Sequence, residues 1–482
     1  MPNVAGAHRV TRILLGVARN PAAPSDAVRR LIRSPALAEQ VAWRRTDIPD
    51  GLAQTILDSG HLPAAEFLGL NDALPTRIRW RLATHPSPTV RAAAAGHAVP
   101  ERVRPGCEVP PALLAHLASD PDPLVRARVA EHSATPDEVR AGLAADREPS
   151  VRKTVAERWT QAPDAVRRCL LTDPDPEVRA AALSPWHSPP PPELHADLLG
   201  HDATRHLVLP YIRLTPDAAA ELAASPDDMV RAALAAHPGL PPSTRERLAH
   251  DPEVVVRVYL VTNPATPEGL RTQILAGLDA EQGPANGFLI PYFLRNAWRD
   301  KASLGWLWEA PLAERLAYLD SPHAFFREAI AASADLPQHA INRLLADPDV
   351  QVRRILAKTH DVPGDALEGL VRDHGDSMHL LPLLVERPTF PRSAFADFAV
   401  SDQTRLRRLA LHDKQLPAHL VGRLAVDSDP YIRRAAAEHP NLPDRCLATL
   451  LTDSDLNVAE ATGAAPGLPR EWVHQLLALA GL

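Results

Sequence analysis

A seven-residue segment that begins with Asp and ends with Arg recurs along this chain at intervals of about 26 residues. It is clearest at Asp120–Arg126, Asp146–Arg152 and Asp173–Arg179, where the steps are 26 and 27 residues. The same phase continues along the sequence and divides it into about seventeen repeats. Because each unit of a repeat array buries apolar surface only against its neighbours, the 482 residues do not require one large core.

Each repeat predicts two short helices. In the repeat that begins at Asp120, we expect Asp120 to cap the first helix and Pro121 to take its first position. Val125 and Val129 lie on one apolar face of that helix, and Thr135 is expected to cap the second helix as part of a capping box. Helices of about two turns are unstable alone, so they must stack. The prediction is an all-α solenoid of about seventeen two-helix repeats of roughly 26 residues, without strands.

Two repeats are longer than the others, and they divide the chain into four segments. Residues 1–84 are degenerate and Arg-rich and are expected to form N-terminal capping repeats, and residues 85–279 are regular repeats. Residues 280–320 form an interrupted repeat rich in aromatic side chains. Residues 321–482 are regular repeats with a C-terminal cap.

The recurring acid and arginine predict a structural ladder. An Asp at a helix start and an Arg two turns later can pair between adjacent repeats through charge-assisted hydrogen bonds. The residues assigned to this ladder are Asp120, Arg126, Asp146, Arg152, Asp173, Arg179, Asp251, Arg257, Asp347, Arg353, Asp427 and Arg433. Arg9 lies outside this phase and is expected to contribute little to stability. The alternative function of the arginines is to line a groove for an anionic ligand.

The repeats resemble the leucine-rich repeat variant family, whose units follow the pattern Asp-Pro-x-x-x-Val-Arg-x-x-Val-Ala-x-Asn-Pro. Asp251–Pro267 and Asp427–Leu451 match it well, and the resemblance recurs over nearly the whole chain. It implies a right-handed superhelix of alternating α-helices and 3₁₀ or short α-helices. The Asp–Arg spacing also resembles that of HEAT-like repeats. Some members of the family bind iron–sulfur through an N-terminal cysteine cluster, but this chain has no Cys before Cys107, so no cofactor is expected.

Charge and cysteine content narrow the possible partners and the compartment. The net charge of −7 argues against a dedicated nucleic-acid binder, although residues 1–105 carry 14 Arg against 8 Asp and Glu. The three cysteines, Cys107, Cys169 and Cys446, are far apart and odd in number, which is typical of a reducing compartment. The apolar run near the N-terminus is too short for a signal peptide, and no stretch approaches a membrane span. We therefore expect a cytoplasmic protein that does not bind membranes.

The chain carries no motif for catalysis or for metal binding. It has no Gly-rich phosphate loop, no His-Glu-x-x-His and no Cys-x-x-Cys. Several of the 21 histidines, such as His237 and His439, occupy a His-Pro joint that also accepts Asn, which indicates turn chemistry. The best metal candidate, the segment 373–379 with two Asp and two His, begins a repeat where such residues commonly cap a helix. We assign no catalytic residue and no metal site, and we expect a non-enzymatic protein.

Aromatic residues concentrate where the repeat is interrupted. Residues 288–326 hold nine of the 21 Phe, Trp and Tyr residues of the chain. Aromatic side chains dominate binding hot spots, so the candidate binding residues are Tyr211, Tyr292, Phe293, Trp298, Trp306 and Trp308. The alternative is that these side chains fill the core where the superhelix changes pitch. Three apolar segments that contain proline, at 207–211, 288–292 and 380–383, are expected to break or kink short helices.

Two functions remain open from the sequence. The first is a binding scaffold that holds a protein or peptide along its concave face and at the aromatic insertion. The second is a nucleic-acid-associated protein of the HEAT-like kind, including one with glycosylase-like activity, that uses the Arg-rich N-terminal repeats. Backbone binding to nucleic acid should weaken steeply with salt, whereas an aromatic peptide site should not.

Overall fold

The computed structural model describes residues 4, 6–96, 108–280, 301–375 and 384–482, and every regular element in these residues is a helix. The predicted all-α fold is therefore confirmed, with no strand in the described part of the chain. Contacts divide the chain into two bodies. Body 1 comprises Met1–Val151 and Val371–Leu482, and body 2 comprises Arg152–Leu370.

Body 1 consists of short helices joined by tight turns. Its α-helices are Ala7–Arg19, Ser25–Leu31, Pro35–Arg44, Asp50–Asp58, Leu62–Gly69, Thr76–Leu82, Pro88–Ala94, Pro111–Leu117, Pro123–Glu131, Asp137–Leu143, Ala394–Ala399, Thr404–Ala410, Ala418–Leu424, Pro430–Ala437, Leu447–Leu451, Leu456–Gly463 and Arg470–Leu479. Two 3₁₀ turns lie at Leu384–Glu386 and Asp444–Cys446. The helices Pro149–Arg158 and Gly364–His374 contain the points at which the two bodies are divided.

Body 2 continues the same pattern. Its α-helices are Asp164–Leu171, Pro176–Ala181, His195–Gly200, Asp202–Val208, Pro216–Leu222, Asp228–Ala236, Pro242–Leu248, Val254–Thr262, Glu268–Ala280, Lys301–Glu309, Leu312–Leu316, Ala324–Ala331, Gln338–Leu345 and Val350–Thr359. Two 3₁₀ turns lie at Pro192–Leu194 and Leu209–Tyr211. The helix over residues 202–208 gives way to the second of these turns where Pro210 lies, as the sequence predicts. The other two proline-containing segments, 288–292 and 380–383, lie outside the described residues.

The repeat that begins at Asp120 shows how the two helices start, and it corrects two predictions. Asp122, not Asp120, caps the first helix, since its side chain accepts from the backbone N–H of Leu124 and Pro123 takes the first position. Asp120 instead accepts from the N–H of Asp122 through Oδ1, and both of its carboxylate oxygens also accept from Arg91 of the preceding repeat. The expected capping box is also wrong at this repeat, because the Thr135 hydroxyl donates backward to the carbonyl of Val129.

One residue in each repeat connects the first helix to the second, four positions before the proline at the second helix. We call it the joint residue, and examples are Asn20, Asn71, His132, His187, His237, Asn263 and His439. Its side chain accepts from the backbone N–H two residues later, as at Asn263 and Ala265. His187 is an exception, because the residue two positions later is Pro189, which has no N–H. It also reaches back to carbonyls of the preceding repeat, as Asn263 Nδ2 does to Ala235 and His237. Because Asn and His both combine an acceptor with a donor, both satisfy this position.

Within body 1, the first and the last repeats pack on each other. Helix Ala7–Arg19 lies against helix Leu456–Gly463. Joint residue Asn20 donates to the carbonyls of Gly463 and Ala465 at 3.3 and 2.8 Å, just as Asn71 donates to Ala42 and Arg45 at 2.7 and 2.8 Å. The N-terminal repeat thus takes the C-terminal repeat as its preceding neighbour.

Two glycines permit this terminal contact. A Cβ atom at Gly16 would overlap the carbonyl oxygen of Glu460, and one at Gly463 would overlap the carbonyl oxygen of Ile13. The helix backbones therefore approach more closely than any side chain allows. Around the crossing, Glu460 pairs with Arg12 at 2.9 Å and with Arg19 at 3.2 Å.

Candidate binding groove

The ladder arginines pair across repeats. Arg126 Nε and Nη2 donate to both carboxylate oxygens of Asp146 at 2.6 and 2.9 Å, and its Nη1 donates to the carbonyls of Asp120 and Pro121. The same bidentate contact joins the pairs Arg91–Asp120, Arg152–Asp173, Arg231–Asp251, Arg327–Asp347, Arg407–Asp427 and Arg433–Asp453. Each pair joins an Arg to the Asp that opens the following repeat. The ladder is thus built from predicted residues and from partners outside the predicted set, such as Arg91 and Asp453.

The carboxylate of Asp146 stays charged although it is buried. Burial alone would raise the pKa of Asp146, but the hydrogen bonds from Arg126 and from the backbone N–H of Glu148 hold that pKa below its usual value. The Arg126 and Asp146 side chains are 6% and 8% exposed. In such pairs the guanidinium donors are buried and bonded to the Asp of the following repeat. These arginines therefore do not line a groove for an anion.

Arg179 is a predicted ladder residue that departs from this pattern. Arg179 is buried and donates to the carbonyls of Asp173 and Pro174, without a carboxylate partner among the described residues. Arg257 is likewise buried, whereas Arg353 is half-buried. Arg9, expected to contribute little to stability, donates to the carbonyls of Leu451 and Asp453, where the last repeat begins. These bonds belong to the stacking of the first repeat, which the sequence alone did not indicate, and they lead us to expect that Arg9 contributes to stability.

Three of the predicted binding residues are described, and each lies in body 2. Trp306 is half-buried, donates through Nε1 to the carbonyl of Thr262 at 3.0 Å, and meets Tyr318 edge-on with ring centroids 5.5 Å apart. Trp308 is half-buried and stacks on Trp186, whose side chain is 60% exposed. Tyr211 is half-buried at the end of a 3₁₀ turn. Tyr292, Phe293 and Trp298 lie outside the described residues.

Tyr211 and Trp306 line the same cavity, which we call the aromatic groove. It measures about 490 Å³ and is also lined by Tyr259 and by Met229. Its wall includes Leu207 and Ala233, which occupy the same repeat position as Tyr259 in three consecutive first helices. Drug-sized ligands and short peptide segments fit cavities of this size.

Two further cavities adjoin the aromatic groove. A cavity of about 570 Å³ beside the segment Pro189–Pro192 shares Pro189 and Tyr211 with the groove. A cavity of about 680 Å³ on the other side shares Trp306 and Glu309 with it. The two outer cavities have no lining residue in common. The three cavities are therefore arranged in series, with the aromatic groove in the middle.

Three titratable side chains of the groove, those of His187, His206 and Tyr211, are held in their neutral forms. Burial, assisted by nearby Arg167, lowers the pKa of joint residue His187, and burial lowers the pKa of His206. Burial also raises the pKa of the Tyr211 hydroxyl. At neutral pH these three side chains present hydrogen-bonding groups without net charge, and the lining also includes the carboxylate of Glu309.

Sequence reasoning missed Met229, Tyr259 and the small residues that make room between them. Ala232, Ala233 and Ala236 line the groove in the repeat between Tyr211 and Tyr259. In the repeats at 120 and 146, the position equivalent to Ala233 holds Arg128 and Thr154. Aligning this surface position across the repeats would have marked the cavity, because a small residue beside aromatic neighbours leaves an apolar gap.

The basic side chains of the N-terminal repeats are largely used in internal contacts. Arg12 and Arg19 pair with Glu460, and Arg30 donates to the backbone of Leu482. Arg45 and Arg79 are buried against backbone carbonyls. This arrangement leaves fewer cations for a phosphate backbone than the sequence count indicates.

No metal site emerges from the described residues. The described part of the chain contains no group of three His, Cys, Asp or Glu side chains placed to hold a metal ion. Of the candidate segment 373–379, residues 376–379 lie outside the described residues. Among the described helices, none combines the length and apolar character needed to cross a membrane.

Comparison with known proteins supports the repeat assignment. The model of the leucine rich repeat variant family matches residues 230–253 and 431–455, so the resemblance seen in the sequence is confirmed at these two repeats. No curated protein matches the chain. Among solved structures, the crystal structure of an engineered protein from a structural genomics consortium is 16% identical over 94% of this chain and 98% of its own, with a TM-score of 0.12. That score is too low for the likeness to bear on function.

Proposed function

We propose that this chain is a non-enzymatic scaffold that binds an extended, apolar segment of a protein partner in the aromatic groove. The observation that carries the proposal is the series of three adjoining cavities linked by Tyr211 and Trp306. A compact small molecule fills one cavity, whereas an extended peptide places successive side chains in several. Repeat scaffolds commonly hold their partners along such surfaces.

The lining supports an apolar peptide over a charged one. Tyr211, Tyr259 and Trp306 supply large, rigid contact areas at low entropic cost, and Met229 adapts to irregular side chains. Aromatic-lined grooves are also the usual binding sites for extended proline-containing segments. His187 and His206 are held neutral by burial, so they offer no charge for a phosphate group.

The nucleic-acid alternative has less support. Its basis was the excess of arginine in the first hundred residues, but several of these arginines bond to Glu460 or to backbone carbonyls. The proposed partner is therefore a protein or peptide, and the proposed compartment is the cytoplasm, from the cysteine content.

The test is selection of peptides from a displayed random library on the full chain, followed by affinity measurement with fluorescent copies of the selected peptides. Tyr211→Ala and Met229→Glu should each weaken binding at least about tenfold, since each removes or charges part of the groove. Tyr431→Ala is the matched control, because Tyr431 is a 66% exposed aromatic residue in body 1. Raising the salt concentration should change the affinity little.

Two outcomes would contradict the proposal. The first is equal binding of selected peptides to the wild type and to both groove variants. The second is a steep decrease of affinity with salt, which would favour binding through the Arg-rich N-terminal repeats. Trp306 is not substituted in this binding test, because its contacts with Thr262 and Tyr318 also stabilise the packing of the helices.

A further inference from the structure

At Arg179 the ladder has an arginine, but the following repeat supplies no acid for it. Arg179 Nη1 donates to the carbonyls of Asp173 and Pro174 at 2.6 and 3.1 Å, the contacts that Arg126 makes with Asp120 and Pro121 at 2.9 and 3.1 Å. The guanidinium of Arg179 is thus held in the orientation that is common to the ladder. Its carboxylate partner should come from the first residue of the next repeat.

That residue is Leu199. It stands six positions before Arg205, as Asp120 stands six before Arg126, and its carbonyl accepts from Arg205 Nε at 3.0 Å. The backbone of Leu199 therefore keeps the ladder position while its side chain offers no acceptor. The following repeat also lacks the acid, since Ser225 opens it, but Arg205 pairs instead with Asp202 at 2.9 Å.

Arg179 is left without a carboxylate that accepts its hydrogen bonds, since the nearby Asp173 accepts from Arg152. It is 9% exposed, its Nε is buried without a hydrogen-bond partner, and no carboxylate pairs with it among the described residues. A buried charge without a partner is unfavourable, so an anion that reaches it gains both Coulomb energy and hydrogen bonds. The planar donor pair of a guanidinium matches a carboxylate, which is the group that fills this place at the other ladder positions.

We propose that the ladder position at Arg179 and Leu199, which lacks an acidic residue, binds a carboxylate group supplied from outside the chain. The carboxylate accepts from the Nε and Nη2 side of Arg179, as Asp146 does from Arg126. This site does not depend on the aromatic groove, and it adds a point at which an acidic side chain or a small organic acid is recognised.

The experiment compares thermal melts of the full chain in sodium formate and in sodium chloride at equal ionic strength and neutral pH. Formate should produce a saturable rise in the Tm of the wild type, because a ligand that binds only the folded state stabilises it. Leu199→Asp and Leu199→Glu each place a carboxylate on the chain itself. We expect at least one of them to raise the Tm in chloride and to abolish the response to formate.

Two further variants make the test decisive. Arg179→Met should lose the formate response, and Asp146→Leu, which empties another ladder position, should gain a second one. A capped tripeptide Ala-Asp-Ala, compared with Ala-Asn-Ala, shows whether a peptide side chain is accepted or only a free acid. The proposal is overturned if formate acts equally on the wild type, Arg179→Met and both Leu199 variants, or if its effect does not saturate.

Discussion

Replacing Arg126 by Met should be one of the most destabilising single changes in the ladder. The substitution retains an aliphatic chain but removes the donors at 2.6 and 2.9 Å from Asp146. Asp146 would then remain buried without the guanidinium that pairs with it, while the backbone N–H of Glu148 still donates to it at 2.9 Å. Leaving a buried carboxylate unpaired costs about 3–5 kcal/mol of the free energy of unfolding.

The matched control is Arg179→Met, at the ladder position that has no acid. This change removes only the hydrogen bonds to two carbonyls, so the expected loss is about 1–2 kcal/mol. The double variant Arg126→Met with Asp146→Leu should lose clearly less than the sum of its two single changes, because neither charge is then left alone. Urea denaturation followed by circular dichroism measures all four variants. Equal losses for Arg126→Met and Arg179→Met, or strict additivity in the double variant, would refute the reasoning.

The pH dependence of stability provides an independent check on the same pair. The pKa of Asp146 is lowered from 3.8 in the folded state, so the folded protein binds fewer protons there than the unfolded chain at acidic pH. The stabilisation is fully present above pH 3.8 and is lost as the pH falls through the lowered folded value. In Arg126→Met this acid-side loss should shrink, because the pKa of Asp146 returns towards or above its usual value. If the variant lost stability at acidic pH as much as the wild type does, the ion pair with Arg126 would not be what lowers the pKa of Asp146.

The remaining predictions concern the terminal contact and a joint residue. Gly16→Leu and Gly463→Leu should each lower the Tm by several degrees, because the added side chain overlaps a backbone carbonyl of the facing helix. The control Gly142→Ala should raise the Tm slightly, because its Cβ meets nothing within 4 Å. Arg9→Met should lower the free energy of unfolding by about 1–2 kcal/mol through the loss of its bonds to the last repeat, and no change in urea melts would argue against the stacked ends. Burial lowers the pKa of His132 from 6.5 to about 4, so the unfolded chain binds more protons in this range and stability should fall as the pH drops from 6.5 to 4. His132→Asn should flatten that slope, and an unchanged slope in pH-dependent melts would assign it to other groups.

The repeat length, the two-helix units and the places of the ladder residues could be predicted because they depend on neighbours in the chain. A valine, an arginine and a proline at fixed spacing set where each short helix begins and which face it buries. The exchange of His and Asn at the joints was likewise visible, since both side chains offer the same donor and acceptor geometry over a few residues. For these features, local hydrogen bonding and helix periodicity are sufficient.

The sequence pattern did not show which of two suitable side chains caps a helix, or which of two hydrogen bonds a side chain forms. Asp120 and Asp122 are both suitable caps, and Asp122 takes this role because the stacked neighbour supplies Arg91 as a partner for Asp120. Thr135 similarly bonds to the carbonyl of Val129 instead of capping the second helix. In both cases a contact formed by packing decided between two local arrangements of similar energy.

The aromatic groove and the terminal contact were decided by tertiary structure alone. The groove combines Tyr211, Tyr259 and Trp306, which are separated by more than a repeat in sequence and meet only because first helices stack side by side. The terminal contact depends on Gly16 and Gly463, which in sequence are merely two glycines within predicted helices. The sequence by itself determined what each repeat is and how it joins the next repeat. Only the stacked structure decided which distant repeats share a surface, because that depends on the accumulated geometry of many repeats and not on any single one.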